Sequence, residues 1–264
     1  MKVYEIIEEM EKIAPPSYAM DWDNPGLLVG RKDSEVKGVY LALDATERVL
    51  QTAIQKGDSM LITHHPMIFT PVKQVRDDDF IGSRILCLAE HHMSYYAMHT
   101  NFDVAVMGEI AADRLGLKGR QVLQVTLPAD ALTGVKEKGI GCAGLLPKTM
   151  TLRECGEYVK KVFEIPTVKI FGDLDSLISR AAICPGSGKH MASYALALGS
   201  EVLITGDIDH HEGIDANSQG LAIIDAGHHG IEHIFTEYMK KRLNELFPRL
   251  HVDQDVNDPP FTVI

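Results

Sequence analysis

Ser59-Met-Leu-Ile-Thr63 is a short apolar run that feeds directly into His64-His65-Pro66. A run of this length closed by a proline reads as a buried strand with its histidines at the carboxyl end. Working outward, Thr46 to Lys56 has the spacing of a helix, and Val39 to Leu43 before it is a second strand. Downstream, the spacing predicts a helix over Asp79 to His92. A strand over Ser94 to Met98 then runs into His99-Thr-Asn-Phe-Asp103, and a short helix covers Gly108 to Leu115. Strands alternating with helices of this size predict βαβ units and largely parallel sheets, so the fold class is α/β.

Beyond Leu117 the texture changes. Residues 118 to 139 carry Gly119, Pro128, Gly134 and mixed charges, which suggests a crossover between lobes. Regular elements then resume: strands over Ile140 to Leu146, Thr167 to Phe171 and Ile178 to Cys184, with a helix over Thr151 to Phe163. Pro185-Gly-Ser-Gly188 reads as a turn opening a helix through Leu198. Glu201 to Thr205 and Leu221 to Ala226 are further strands, Gly230 to Leu246 is a long helix, and Arg249 to Asp253 is a last edge strand. Leu203-Ile-Thr205, followed by Gly206-Asp207-Ile-Asp-His210-His211, echoes Leu61-Ile-Thr63 before its own histidine pair. The echo suggests two similarly built lobes.

The 264 residues suffice for one large unit or two lobes around sizeable cores. The net charge of -11 argues against a general nucleic-acid binder, which needs a basic footprint. Cys87, Cys142, Cys155 and Cys184 are widely spaced in apolar contexts, as reduced, buried thiols would be. The N-terminal MKVYEIIEEMEKI is an amphipathic acidic helix ended by Pro15-Pro16, unlike a signal peptide. No run approaches the roughly 20 apolar residues of a membrane span, so the expected location is the cytoplasm.

Histidine is the unusual component, with 12 residues, several in adjacent pairs. The candidates cluster where strands end, and in open α/β sheets the carboxyl ends of parallel strands form the crevice in which sites are built. His64 and His65 follow one strand, His99 and Asp103 a second, and His228 a third. His228 and Glu232 are four apart at a helix start, hence on one face. His229 and His233 share that spacing, as do His211 and Asp215, so spacing does not choose between the pairs. Imidazole and carboxylate donors suit zinc, iron, manganese, cobalt or nickel. A carboxylate bridging two such ions would hold them about 3.5 Å apart, as in hydrolytic two-metal sites. His91-His92 reads as a helix C-terminal cap, and His190 and His251 read as exposed. Asp21, Trp22 and Asn24 could line the pocket, although Asn24-Pro25-Gly26 has the composition of a turn. Gly186-Ser-Gly-Lys189 lacks the spacing of a phosphate-binding loop.

Taken together, several segments resemble the NIF3-like family, whose bacterial members are labelled GTP cyclohydrolase 1 type 2 homologues. They are Asp23-Asn-Pro-Gly-Leu-Leu-Val-Gly30, Leu43-Asp44-Ala-Thr46, Ile62-Thr-His-His-Pro-Met-Ile-Phe69 and Met98-His-Thr-Asn-Phe-Asp103. Ile204-Thr-Gly-Asp207-Ile-Asp-His-His-Glu212 and Ile224-Asp-Ala-Gly-His228 with Glu232 complete the set, in family order across most of the chain. The resemblance implies two similar α/β lobes with a dinuclear metal site in the cleft between them. Lobe one would take about 1–117 plus 221–264, and lobe two about 140–220. The implied ligands are His64, His65, Asp103, His228 and a bridging Glu232, which decides against His229. His99, Asp207, His210 and His211 fall within these motifs without being assigned as ligands, and each reads either as an orienting partner or proton shuttle, or as part of a capped loop. The His-Gly-Ile between His228 and Glu232 departs from the aromatic residue common there. Longer members carry a domain inserted between the halves, for which residues 104 to 203 leave no space.

The reading that follows is a hydrolase dependent on two divalent transition-metal ions, with ring opening of a purine nucleotide such as GTP as the candidate reaction. The alternative is a non-catalytic metal-binding regulatory or interaction protein. The implied partners are a small-molecule substrate and further copies of the chain in a homohexamer, with no membrane, no general nucleic acid and no organic cofactor.

Overall fold

Helix-forming spacing and strand-forming apolar runs come out largely where the sequence places them. The computed structural model describes residues 1–130, 134, 136–256 and 259–262. In chain order, the first stretch forms α1 (Val3–Ile13), β1 (Gly26–Val29), β2 (Gly38–Ala42), α2 (Glu47–Lys56), β3 (Met60–Thr63), α3 (Phe80–Glu90), β4 (Ser94–Ala97) and α4 (Thr100–Phe102). A π-helical turn, Asp103–Met107, follows, and then α5 (Gly108–Leu115), β5 (Lys118–Leu127), β6 (Lys138–Thr151), α6 (Leu152–Phe163), β7 (Lys169–Phe171) and β8 (Leu177–Ser187). The remainder is α7 (Ala192–Ala197), β9 (Val202–Gly206), α8 (His210–Ser218), β10 (Ala222–Asp225), α9 (His228–Glu232), α10 (Ile234–Leu246) and β11 (His251–Gln254).

The chain divides into two compact units, Met1–Ala105 with Phe235–Val256, and Val106–Ile234 with Asn257–Ile264. In the first, a five-stranded sheet runs β1-β4-β3-β2-β11. Its last four members pair in parallel, and β1 joins antiparallel to β4. Leu61 and Tyr95 of this sheet pack against Val49, Leu50 and Ala53 of α2. That helix is bounded as its sequence dictates: the Thr46 side chain accepts from the Val49 N–H, and Gly57 ends it at φ 82°.

The second unit carries a six-stranded sheet, β5-β6-β8-β9-β10-β7. Only β8, β9 and β10 run parallel, and the outer pairings are antiparallel. The expectation of largely parallel sheets therefore holds for the centre of this sheet and not its flanks. The echoed segments are equivalent in place: β3 and β9 each lie between two parallel neighbours, and Leu61 and Leu203 each enter their own unit's core.

Three sequence expectations are corrected. The crossover expected from residue 118 is instead β5, a ten-residue strand paired with β6. It lies at a sheet edge with mostly exposed or half-buried side chains, so no apolar run announces it. Residues 131–133 and 135 of that expected crossover lie outside the described residues. The long helix expected from Gly230 begins at His228 and divides into α9 and α10 at His233. Finally, β10 and α9 belong to the second unit rather than to lobe one, because β10 is laddered to β9 and β7. Among the described residues no helix is long and apolar enough to cross a membrane. Cys142, Cys155 and Cys184 are buried, and desolvation pushes the Cys142 and Cys155 thiols up to about 11 and about 12.

Candidate metal centre

In the first unit, β3 ends at Thr63 and delivers His64 and His65 on divergent directions, their rings 4.9 Å apart and tilted by 50°. His64 is fully buried; its Nδ1 lies 2.7 Å from the Met98 carbonyl, and its Nε2 3.5 Å from Asp103 Oδ1. His65 Nδ1 lies 2.9 Å from Asp44 Oδ1. Asp103 is the first residue of the π-helical turn, a local widening that is frequent at functional sites. Phe102 and Phe235 flank the His64 ring at 6.2 and 5.3 Å and shield it from water.

His99 lies in the same cluster. Its ring meets those of His64 and His65 at 5.4 and 5.8 Å, and its Nδ1 is 2.8 Å from Asp23 Oδ1. Burial alone would raise the Asp23 carboxyl. The His99 contact, the Thr100 hydroxyl, the His99 charge and the Asn24 N–H outweigh it and bring the group to about 2. Trp22 stacks on Phe69 at 6.4 Å, and both present their edges to His99. Of the suspected pocket residues, Trp22 forms an exposed flat surface together with Phe69, Asp21 faces solvent, and Asn24 donates to the Ile68 carbonyl at 2.7 Å.

In the second unit, β10 ends at Asp225, and Gly227 at φ 73° turns the chain into α9. The helix sets His228 Nε2 2.9 Å from Glu232 Oε2, so the structure pairs His228 with Glu232. His233 instead turns Nδ1 to the Gly230 carbonyl at 2.8 Å. Gly230 itself is accounted for: a Cβ there would lie 2.9 Å from Ile165 Cγ2. His228 Nδ1 is 2.8 Å from Asp207 Oδ2, and Asp207 holds a left-handed backbone at φ 52°, which Asp tolerates better than most residues. His210 and His211 open α8 in exposed positions, with their rings against each other at 5.2 Å. Below α9 lies a cavity of about 730 Å³ lined by Lys169, Asp207, Asp225, Gly227, His229 and Phe261 among others.

Four residues escaped the sequence reading. Asp44 lies two residues beyond the β2 register partner of Thr63, level with His65 on the neighbouring strand, so strand alignment would have found it. Asp23 gave no signal beyond its motif. Gly186 and Gly206 matter for what they lack: a Cβ would stand 2.3 Å from Glu232 Oε1 at the former and 2.6 Å from the His228 backbone nitrogen at the latter. The turn read at Pro185 to Gly188 is largely the end of β8, which brings Gly186 against the glutamate.

Each of His64, His65 and His228 has Nδ1 committed to a carbonyl or carboxylate, which leaves Nε2 as the nitrogen suited to ligation. The imidazoles of His64 and His65 in the first unit, and the buried Glu232 carboxylate in the second, are each donors of the kind that hold metal ions. An α/β chain with tandem histidines after a parallel strand and a His/Glu helix after another defines a narrow class. The Duf34/NIF3 (NGG1p interacting factor 3) family matches residues 1–258, and the chain belongs to that family. It is 33% identical over 258 residues to a GTP cyclohydrolase 1 type 2 homolog of Clostridium acetobutylicum, covering 97% of this chain and 94% of that one. Among solved structures it is similar to the Staphylococcus aureus hypothetical protein SA1388, with TM-score 0.90 and 31% identity over 100% of this chain and 99% of that one. It is also similar to reduced HcgD from Methanocaldococcus jannaschii, with TM-score 0.82 and 27% identity over 96% and 97% of the two chains.

Proposed function

We propose that the chain is a hydrolase dependent on two divalent transition-metal ions, held by His64, His65, Asp103, His228 and a bridging Glu232. The observation that carries this reading is the shared Nδ1 anchoring of three imidazoles, since metal-ligating histidines almost always donate their other nitrogen to such a partner. Two ions there would polarise the bond under attack and supply an activated water.

The chain's own residues take the remaining roles. Asp23 holds His99 by Nδ1, which fixes the tautomer and leaves Nε2 to accept and return a proton. The Trp22–Phe69 surface beside it suits a planar heterocycle, since aromatic faces stack on π-systems without sequence-like selectivity. A purine nucleotide is the substrate class favoured by that surface and by the names of the relatives.

The test is metal content by mass spectrometry on wild type and Glu232→Ala, each followed by a hydrolysis screen that includes GTP. About two transition metals per chain, lost together with turnover in the variant, would support the reading. Wild type without metal after reconstitution would sink the ligand assignment. Metal without turnover would favour an interaction protein, as the family description names one.

A further inference from the structure

At the other end of the first unit's sheet, three donors from distant parts of the chain meet. Asp58 lies just before β3, and His251 and Asp253 lie on β11. Being two apart on a strand, His251 and Asp253 face the same side, and His251 is the register partner of Gly38 on the intervening β2. Gly38 is what lets the groups meet: a Cβ there would stand 2.2 Å from Asp58 Oδ1 and 3.5 Å from His251 Cδ2. One donor atom from each of the three residues lies within 4.8 Å of the others.

Asp58 is 6% exposed, and neither carboxylate oxygen has a hydrogen-bond partner among the described residues. A buried carboxylate in that state costs free energy unless something pairs with it. Burial, then the Asp253 charge, raise its carboxyl to about 6 against the opposing His251 and Lys56 charges. Lys56 Nζ, 3.1 Å from Asp253 Oδ2, serves Asp253, and Asp58 has no hydrogen-bond partner among the described residues.

We infer that Asp58, His251 and Asp253 form a further cation site, separate from the centre described above, that takes one divalent transition-metal ion of the zinc or manganese class. The donor set of one imidazole and two carboxylates matches the borderline ions rather than the all-oxygen shell of magnesium or calcium. The half-exposed Lys56 side chain is able to turn to solvent as the ion takes its place beside Asp253. Bound there, the ion ties the C-terminal edge strand to the start of β3 across β2.

The site is tested on the full chain carrying Glu232→Ala and His64→Ala, so that the other centre does not obscure it. Metal-free protein is titrated with zinc and separately with manganese by calorimetry. One equivalent of at least one of the two ions is expected to remain, and to disappear when Asp58→Asn or His251→Ala is added. Asp58→Asn replaces a side chain with no hydrogen bonds among the described residues, and His251 is exposed, so both variants should keep the fold, which circular dichroism checks. No binding of either ion in the double variant, or binding unchanged by both added substitutions, would overturn the proposal.

Discussion

Gly186 illustrates a residue whose contribution is the volume it leaves empty. Its φ is 75°, and a Cβ added there would stand 2.3 Å from Glu232 Oε1, so alanine must displace the glutamate as well as strain its own backbone. Gly199 provides the control, with φ at 69° and nothing within 4 Å of a Cβ. Both alanine variants should lose on the order of 1 kcal/mol to backbone strain in denaturant titrations. Only Gly186→Ala should also weaken metal binding, by about tenfold or more, as measured by competition with a chelator. Equal metal affinity in the two variants would mean that Glu232 does not need its present position. Asp23 gives a second prediction at this scale. Its carboxyl titrates at about 2 in the folded chain against an ordinary value of 3.8, so between these values the unfolded chain binds more protons. The stabilisation is full above about pH 4, declines as pH falls through that window and is absent below it. Its size is on the order of 2 kcal/mol for a shift of this extent in a side chain shielded from water. Asp23→Asn should therefore be less stable than wild type at about pH 5 and lose that deficit near pH 2, in urea titrations of chelated protein. A deficit independent of pH would point to packing instead. The histidines at the strand ends stood out by type and position, whereas Asp103 and Glu232 entered as proposed ligands through the family motifs. Asp23 and Asp44 were less legible, since a carboxylate that orients a histidine from a distant loop leaves no spacing pattern in the chain.

Among the elements, α6 shows both its start and its buried face in its sequence. Leu152, Cys155, Gly156, Val159 and Phe163 line one side, and Thr151 with Glu154 forms a reciprocal cap. Thr151 Oγ1 accepts from the Glu154 N–H at 3.2 Å, and the Glu154 carboxylate accepts from the Thr151 N–H at 2.8 Å. Thr151→Ala should cost about 1 kcal/mol in equilibrium unfolding. A change near zero would show that Glu154 or water satisfies the helix end without the hydroxyl. Elements with an apolar face were read correctly for the same reason as α6: burial writes a period into the sequence. β5 was missed because an edge strand with one buried residue writes none, and Arg120, Gly119 and its polar neighbours resemble a linker. The π-helical turn at Asp103 was equally invisible, because one added residue in a helical turn does not alter the residue types that favour helix.

For the molecule as a whole, ligands that are far apart in sequence act together only if the same ions engage all of them. A ligand that binds the folded chain and not the unfolded one stabilises by RT ln(1 + [L]/Kd), about 2.7 kcal/mol at a hundredfold excess over Kd. For a chain of this size each kcal/mol moves the melting temperature by about 2–4 °C. Adding zinc or manganese to chelated wild type should therefore raise the melting temperature by several degrees. His65→Ala and Glu232→Ala should each remove most of that rise, and the double variant should lose little more than either alone, because a shared site is already broken by the first substitution. Strict additivity of the two losses would show that His65 and Glu232 hold separate ions, and the bridging role proposed for Glu232 would fall while metal binding itself stood.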